Sequence, residues 1–381
     1  MRIIYHTFDL NGSGGMERVL VQKANWLATH GYQVEIITTE DNACTPFFPL
    51  YPGIRTTVLG IDYDKLYDSN NVLANIWRSI SKRRRHRRKL VAYLQENPCD
   101  IFITLQHRNF IPAMKDGSKK IYEIHFSTAS KREFLKRKGF FYRFAYRIGS
   151  WWQERTIKNY DRFVVLTEAD CKERSLSNCI SIPNSITIPM PPESARLDAR
   201  RVICVARYSY EKGLDFLFPA WRIVAERHPD WSLHIYGRTY GREQEYTRLL
   251  LECGVGSSVR LCEPTQDIVS EYLQSSIFVM SSRYEGFPLA LGEAMACGVP
   301  CVSYACPYGP EEIIRDGEDG IIVPQVGDIS GLAAGICRLI EDEPLRRTMG
   351  SAARRNIVRY HENTVMKHWV ALFNELAGRP E

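Results

Sequence analysis

Short apolar runs of strand character alternate with longer helical patterns along the whole of this 381-residue chain. The alternation signals βαβ units, because a strand reaches a parallel neighbour only through a long crossover, usually a helix. In the first half, strands are predicted at residues 2–8, 33–39, 56–61, 101–105, 120–125 and 163–167, with another at 180–183. Helices are predicted between them at 17–30, 72–96, 131–158 and 168–177. Proline and small polar residues then gather from Ile182 to Glu193, a stretch that neither continues a helix nor joins a central strand. A second series follows, with strands at 202–206, 232–236, 258–262, 277–281, 300–304 and 320–323 and helices between them. Residues 344–376 read as two or three helices with no strand after them. Two doubly wound α/β domains are the expected architecture, each long enough to bury its own core.

Charge separates the two halves. Residues 1–190 hold 29 Lys and Arg against 18 Asp and Glu, whereas the remainder holds 21 against 26. A basic first half implies an anionic partner such as nucleic acid, a membrane surface or a phosphorylated substrate. No apolar run approaches the roughly 18–20 residues that span a bilayer. The amino terminus opens on a strand pattern rather than a leader, so a cytoplasmic location is expected. The eleven cysteines are scattered, which fits reduced, mostly buried thiols. Cys297, Cys301 and Cys306 lack the paired spacing of a zinc site.

Three groups of residues point to chemistry. Gly12, Gly14 and Gly15 lie between the first strand and its helix, where backbone N–H groups suit a phosphate. As a dinucleotide fingerprint the cluster fails, since Glu17 takes the third glycine position, although Glu40 or Asp41 ends the second strand as a ribose-binding acid would. In the second half, Arg207 and Lys212 leave a strand end five residues apart, and two fixed cations can hold a diphosphate and neutralise its charge as it departs. The stretch from Glu285 to Gly298 follows an apolar strand and opens a helix. Glu285 lies in the loop and Glu293 about one turn into the helix, two carboxylates able to accept hydrogen bonds from vicinal hydroxyls, while Gly286 and Phe287 offer N–H groups.

With these motifs the chain resembles the family 4 glycosyltransferases, a retaining group of GT-B architecture, over nearly its whole length. The resemblance rests on Gly14 to Arg18, His125, Leu166 to Asp170, Ile182 to Asn184, Arg207 with Glu211 to Gly213, His234 to Gly237, Glu285 to Glu293, and Gly309 to Gly320. Ala206, Gly292 and Cys262-Glu263 depart from the common pattern. The resemblance implies two Rossmann-like domains facing a cleft: an acceptor-side domain in residues 1–184, a nucleotide-sugar domain in 185–363, and a helix in 364–381 packing back toward the first. It implies that Arg207 and Lys212 bind the donor diphosphate without a metal or other cofactor. Glu293 would hold the ribose, Glu285 would touch the donor sugar, and Gly286, Phe287, Pro288 and Leu289 would cradle phosphate and sugar. Gly14 and Gly15 would let the first domain close on the diphosphate. His125 would lie near the anomeric carbon, donating or accepting at a sugar hydroxyl.

The expected activity is retaining transfer of a hexose or N-acetylhexosamine from a UDP-sugar to a polyprenyl-diphosphate-linked saccharide in surface polysaccharide biosynthesis, such as capsule or O-antigen. GDP-mannose is the alternative donor. Retention is expected from attack on the face that the diphosphate leaves. Asp62-Tyr63-Asp64 imitates a metal-binding Asp-x-Asp outside any matching context. The run from Lys82 to Lys89 places seven charges in eight positions on a helix. It reads as a solvated face or a site for anionic lipid on a peripheral enzyme, without the interleaved aromatics of single-strand binders. The different-class reading is a non-enzymatic nucleic-acid-binding protein using this run. A second basic stretch, at Lys131, Arg132 and Lys136 to Lys138, precedes an aromatic stripe at Phe140, Phe141, Phe144, Ile148, Trp151 and Trp152, which reads first as core.

Overall fold

A computed structural model describes residues 1–40, 46–63, 72–126, 128, 132, 135 and 139–379, and the counts below refer to those residues. Two compact units form: Met1–His125, Phe134–Pro183 and Val365–Glu381 make the first, and Phe126–Glu133 and Asn184–Thr364 the second.

The first unit holds strands β1 (Arg2–Thr7), β2 (Gln33–Thr38), β3 (Arg55–Val58), β4 (Ile101–Thr104), β5 (Lys119–Glu123), β6 (Arg162–Val165) and β7 (Cys179–Ser181). They lie in the order β3-β2-β1-β4-β5-β6-β7, all parallel. Helices α1 (Gly15–Thr29), α2 (Val72–Glu96), α3 (Phe140–Ile157) and α4 (Glu168–Arg174) connect them. Successive strand residues point to opposite faces, so the sheet carries two cores. Ile3 and Tyr5 join Leu20, Ala24 and Leu27 of α1 on one face, whereas Ile4 and Phe102 meet Leu90 and Leu94 of α2 on the other. The C-terminal helix (Glu362–Ala377) adds Val365, Met366, Trp369, Leu372 and Phe373 to the α1 face, a spacing that lines one side of a helix. Thr167 caps α4 by accepting the N–H of Asp170, which ends the β6 loop.

In the second unit the order is β10-β9-β8-β11-β12-β13, again parallel. The strands are β8 (Arg201–Val205), β9 (Ser232–Tyr236), β10 (Val259–Cys262), β11 (Ile277–Met280), β12 (Cys301–Tyr304) and β13 (Gly320–Val323). Helices α5 (Leu214–Arg227), α6 (Glu243–Cys253), α7 (Ile268–Leu273), α8 (Leu289–Ala296), α9 (Pro310–Ile313), α10 (Ile329–Glu341) and α11 (Glu343–Asn356) complete it. The core gathers Trp221, Val279, Tyr304 and Ile336. Arg354 donates to the carbonyls of Pro191, Pro192, Glu193 and Ala296, tying down a segment whose prolines supply no N–H of their own.

Two expectations are corrected. Trp151 and Trp152 are half or more exposed rather than core; among the described side chains of α3, Ile157 is the one that joins the sheet core. The side chains of Phe140, Phe141, Phe144 and Ile148, and the basic residues 131 and 136–138, lie outside the described residues. The ten described cysteines are unpaired; five are buried and five are partly buried.

Candidate functional site

Strand order reverses between β8 and β11, and a crevice opens at such a reversal because the flanking crossovers leave in opposite directions. Arg207 follows β8 and Glu285 follows β11. A single turn at Tyr210–Lys212 ends on Gly213 in the left-handed region (φ 62°), where a Cβ would lie 2.1 Å from the Ser281 carbonyl oxygen. Only glycine lets the two loops lie this close. Lys212 Nζ donates to Glu285 Oε1 at 2.7 Å, and Ser282 Oγ donates to the same oxygen at 2.6 Å. The paired side chains are 19% and 11% exposed, so the pair opens to the crevice side yet is shielded from bulk water. Arg207 is more exposed and reaches Glu211 at 3.3 Å.

The loop after β11 contains a brace that the motifs did not single out. Arg283 donates to both oxygens of Asp215, at 2.7 and 2.5 Å. Its guanidinium lies 4.0 Å from the ring centres of Tyr210 and Phe216. Its backbone N–H also meets the Glu211 carbonyl at 2.7 Å. One planar cation thus locks the loop bearing Arg207 and Lys212 to the loop bearing Glu285. Spacing could not reveal it, since Arg283 and Asp215 are 68 residues apart.

Pro288 occupies the position before α8, and Phe287 packs edge-on against Tyr360 at 5.2 Å. A Cβ on Gly309 would lie 2.7 Å from Pro288 Cδ and 3.0 Å from Glu285 Cβ, so this loop too needs glycine to pass. Glu293 is 5% exposed. Thr187 Oγ1 donates to its Oε1 at 2.5 Å, and the Tyr272 hydroxyl shares its proton between Glu293 Oε2 at 3.3 Å and the Ala290 carbonyl at 3.2 Å. Burial, and then the Glu293 charge, raises the Tyr272 hydroxyl well above its ordinary value, which keeps it a donor. Neither Thr187 nor Tyr272 carried a sequence signal.

In the first unit, Gly14 precedes α1 in an extended conformation, and Gly15 is the first helical residue. The Glu17 side chain folds over this loop: a Cβ on Gly12 or Gly14 would come within 2.8 or 2.5 Å of its carboxylate oxygens. His125 lies just past β5, with Nε2 3.0 Å from Glu123 Oε1. The Glu40 carboxylate accepts the Tyr63 N–H at 3.0 Å and the Thr39 hydroxyl at 3.2 Å, both on Oε1; Asp41 lies outside the described residues. In the Asp-x-Asp stretch, the Tyr63 hydroxyl turns to His86, and Asp64 is likewise outside.

The basic run is not one solvated face. Lys82 and Lys89 donate to the carbonyls of Asp62 and Leu59, and His86 is buried. Thr104 Oγ1 gives its proton to the Gln106 carbonyl at 2.8 Å and therefore accepts from His6 Nδ1 at 2.9 Å. His6 Nε2 must then accept the Nε2–H of His86 at 3.1 Å, and His86 Nδ1 accepts the Tyr63 hydroxyl at 3.0 Å. Both rings are neutral in this chain: burial, then each other and Arg108, holds His6 well below its ordinary value, and burial and Arg108 take His86 to about 3. Arg83, Arg84, Arg85, Arg87 and Arg88 are exposed. Trp77 is 71% exposed and lies seven and eleven residues before Arg84 and Arg88, so the three share one side of α2.

Residues 13–173 match the family described as Glycosyltransferase Family 4, and residues 190–356 match Glycosyl transferases group 1. An exopolysaccharide phosphotransferase of Streptomyces coelicolor is 37% identical over 227 residues, which is 58% of this chain and 24% of that protein. An uncharacterized glycosyltransferase of Haemophilus influenzae is 26% identical over 97% of this chain and 98% of its own. The amylovoran biosynthesis glycosyltransferase AmsD of Erwinia amylovora is 30% identical over 56% of this chain and 62% of its own. The chain thus spans a quarter of the first relative, nearly all of the second and three fifths of the third. Among solved structures, sucrose-phosphate synthase of Thermosynechococcus elongatus superposes with a TM-score of 0.79 at 18% identity, covering 99% of this chain and 100% of that one. S. aureus TarM, in complex with UDP, alpha-GlcNAc-glycerol and fondaparinux, gives 0.73 at 16% over 98% of this chain and 100% of its own.

Proposed function

The chain belongs to the family 4 glycosyltransferases and has the GT-B fold of two Rossmann-like domains, and from that premise we propose that it transfers a hexose or N-acetylhexosamine from a UDP-sugar, with retention, to a lipid-linked saccharide during surface polysaccharide assembly. The carrying observation is the pair of cations on the β8 loop, Arg207 and Lys212, braced by Arg283 against the Glu285 loop at the strand-order reversal. Two preorganised cations stabilise a departing diphosphate, the task a divalent cation performs in other transferases. Lys212 has three protons, so it can keep Glu285 in place while donating to a phosphate oxygen. Glu285, held by Lys212 and Ser282, keeps acceptor capacity for a sugar hydroxyl. Glu293, steadied by Thr187 and Tyr272, does the same for a ribose hydroxyl. The acceptor attacks the face that the diphosphate leaves, and a leaving phosphate oxygen takes its proton.

TarM, solved with UDP, and AmsD, a polysaccharide-building relative, support the donor and the pathway class. The arginines of α2, with Trp77 and Ile80 exposed beside them, suit an anionic membrane surface, where cations meet headgroups and an indole sits at the interface. No helix of the described residues is long and apolar enough to cross a membrane.

The test is a thermal-shift screen of UDP-, GDP- and other nucleotide-sugars, then transfer with the binder and NMR of the product anomer. Stabilisation by UDP-sugars and an unchanged anomeric configuration are expected. Preference for GDP-mannose would replace the donor assignment. Full activity in Lys212→Ala would remove the diphosphate role given to the cation pair, and tight binding of single-stranded nucleic acid without any nucleotide-sugar binding would sink the donor reading. Arg84→Glu, Arg88→Glu and Trp77→Ser together are expected to release the protein from anionic liposomes while donor hydrolysis continues.

A further inference from the structure

Lys23 on α1 and Glu123 at the end of β5 pair in the core of the first unit, their side chains 3% and 1% exposed. A buried ion pair seldom repays its desolvation in stability, so a pair this deep asks for another role. Burial alone would raise the Glu123 carboxyl, but Lys23 and His125 hold it down to about 2. Burial pulls Lys23 downward and Glu123 pulls it back. The Lys23 ammonium lies 4.3 Å from the Trp369 ring centre of the C-terminal helix and 5.7 Å from that of Tyr5, so two aromatic rings flank it and screen it from water.

Glu123 Oε1, which takes Lys23, is also 3.0 Å from His125 Nε2, with the ring turned off the ideal line. Glu123 Oε2, the Tyr5 hydroxyl and both ring nitrogens of His125 are buried without a well-aligned hydrogen bond among the described residues, so the Nε2–Oε1 approach is a close contact rather than an aligned bond. The titratable groups gathered here are Lys23 from α1, Tyr5 from β1, and Glu123 and His125 from β5 and its end; the C-terminal helix contributes the uncharged Trp369.

We propose that Lys23 and Glu123 are positioning residues for His125: the fixed carboxylate makes Nε2 the protonated nitrogen of the neutral ring and leaves Nδ1 as a hydrogen-bond acceptor. This rests on the reading of His125 as a contact to the donor sugar and deepens it, because the ring then accepts from a sugar hydroxyl rather than donating to one. Lys23 has its own part. An unpaired carboxylate beside an imidazole favours the imidazolium, which has no acceptor. By pairing with Glu123, Lys23 offsets the carboxylate charge that faces the ring.

Nitrogen NMR of the full chain with labelled histidine, together with pH profiles of donor hydrolysis, tests this. The wild type is expected to show the Nε2–H tautomer in a resonance that His125→Asn removes. Lys23→Met is expected to move the acid limb of the kcat profile upward by about one pH unit or more, with donor KM within about twofold. Since that variant buries a bare carboxylate, the double variant Lys23→Met, Glu123→Gln provides a neutral pair of similar shape, in which both tautomers are expected to appear and kcat to fall about tenfold. An Nδ1–H tautomer in the wild type, an unmoved acid limb in Lys23→Met, or a single unchanged tautomer in the double variant overturns the proposal. Wild-type transfer by His125→Ala would instead remove the sugar-contact reading, while the tautomer measurement still judges the device.

Discussion

Lys212 in the second unit and Lys23 in the first each pair with a glutamate, yet the surroundings of the two pairs differ. Lys212 and Glu285 sit on adjacent loops at strand ends, partly open, with Arg207 beside them. Lys23 and Glu123 lie below the surface between a helix and a strand, beneath Trp369. A partly exposed pair can share its cation with an arriving phosphate, because water and ligand compensate whichever group is left. A buried pair cannot change partners without exposing a bare charge to the core, at a cost of about 3–5 kcal/mol. The first arrangement suits binding and the second suits holding.

Four measurements break or sharpen this contrast. Trp369→Ala removes both core packing and the ring against Lys23, and is expected to destabilise the first unit by about 3–5 kcal/mol in chemical denaturation. A loss under 1 kcal/mol would mean that the C-terminal helix contributes little to holding the pair. Lys212→Ala and Glu285→Ala are each expected to cut kcat about 100- to 1000-fold with little change in Tm, as loss of one preorganised charge does; a large fall in Tm would make this pair structural as well.

The third concerns the neutral histidines. An unfolded histidine takes its proton near pH 6.5, whereas folded His6 and His86 refuse it, so the unfolded chain binds more protons below that pH. Stability is therefore present above pH 6.5 and falls as the pH drops, by up to about 1.4 kcal/mol per pH unit for each ring. His86→Phe is expected to lower this slope between pH 6.5 and 5 by one ring's share, in urea titrations across that range. An unaltered slope would show that the buried chain is not neutral. The smallest effect expected is from Arg283→Ala, about tenfold in kcat/KM, because the brace acts through the loops it joins. No change in donor kinetics would make it a surface ion pair of the usual small worth.

The parallel architecture was legible because strand and helix periods differ and the linker prolines exclude both. α2 has the bounds read from its spacing, and Glu293 stands in the second turn of α8. Trp151 and Trp152 were misread because helical spacing shows that a stripe exists, not whether a sheet lies against it. Within the basic run, charge density says nothing of which side of the helix meets Tyr63 and His6, so only the structure separates the inward Lys82, His86 and Lys89 from the exposed arginines.

Residues near in sequence thus declared themselves from the chain alone: the glycine loop, Arg207 with Lys212, and Glu285 with Glu293. Their chemistry needs only a strand end and the start of a helix, which local pattern determines. Contacts across the sheet were decided by tertiary structure. Lys23 and Glu123 are 100 residues apart, His6 and His86 are 80 apart, and Thr187 and Glu293 are 106 apart. Burial and strand order bring such groups together, and a buried charge or imidazole takes its protonation state from neighbours that no local spacing can name.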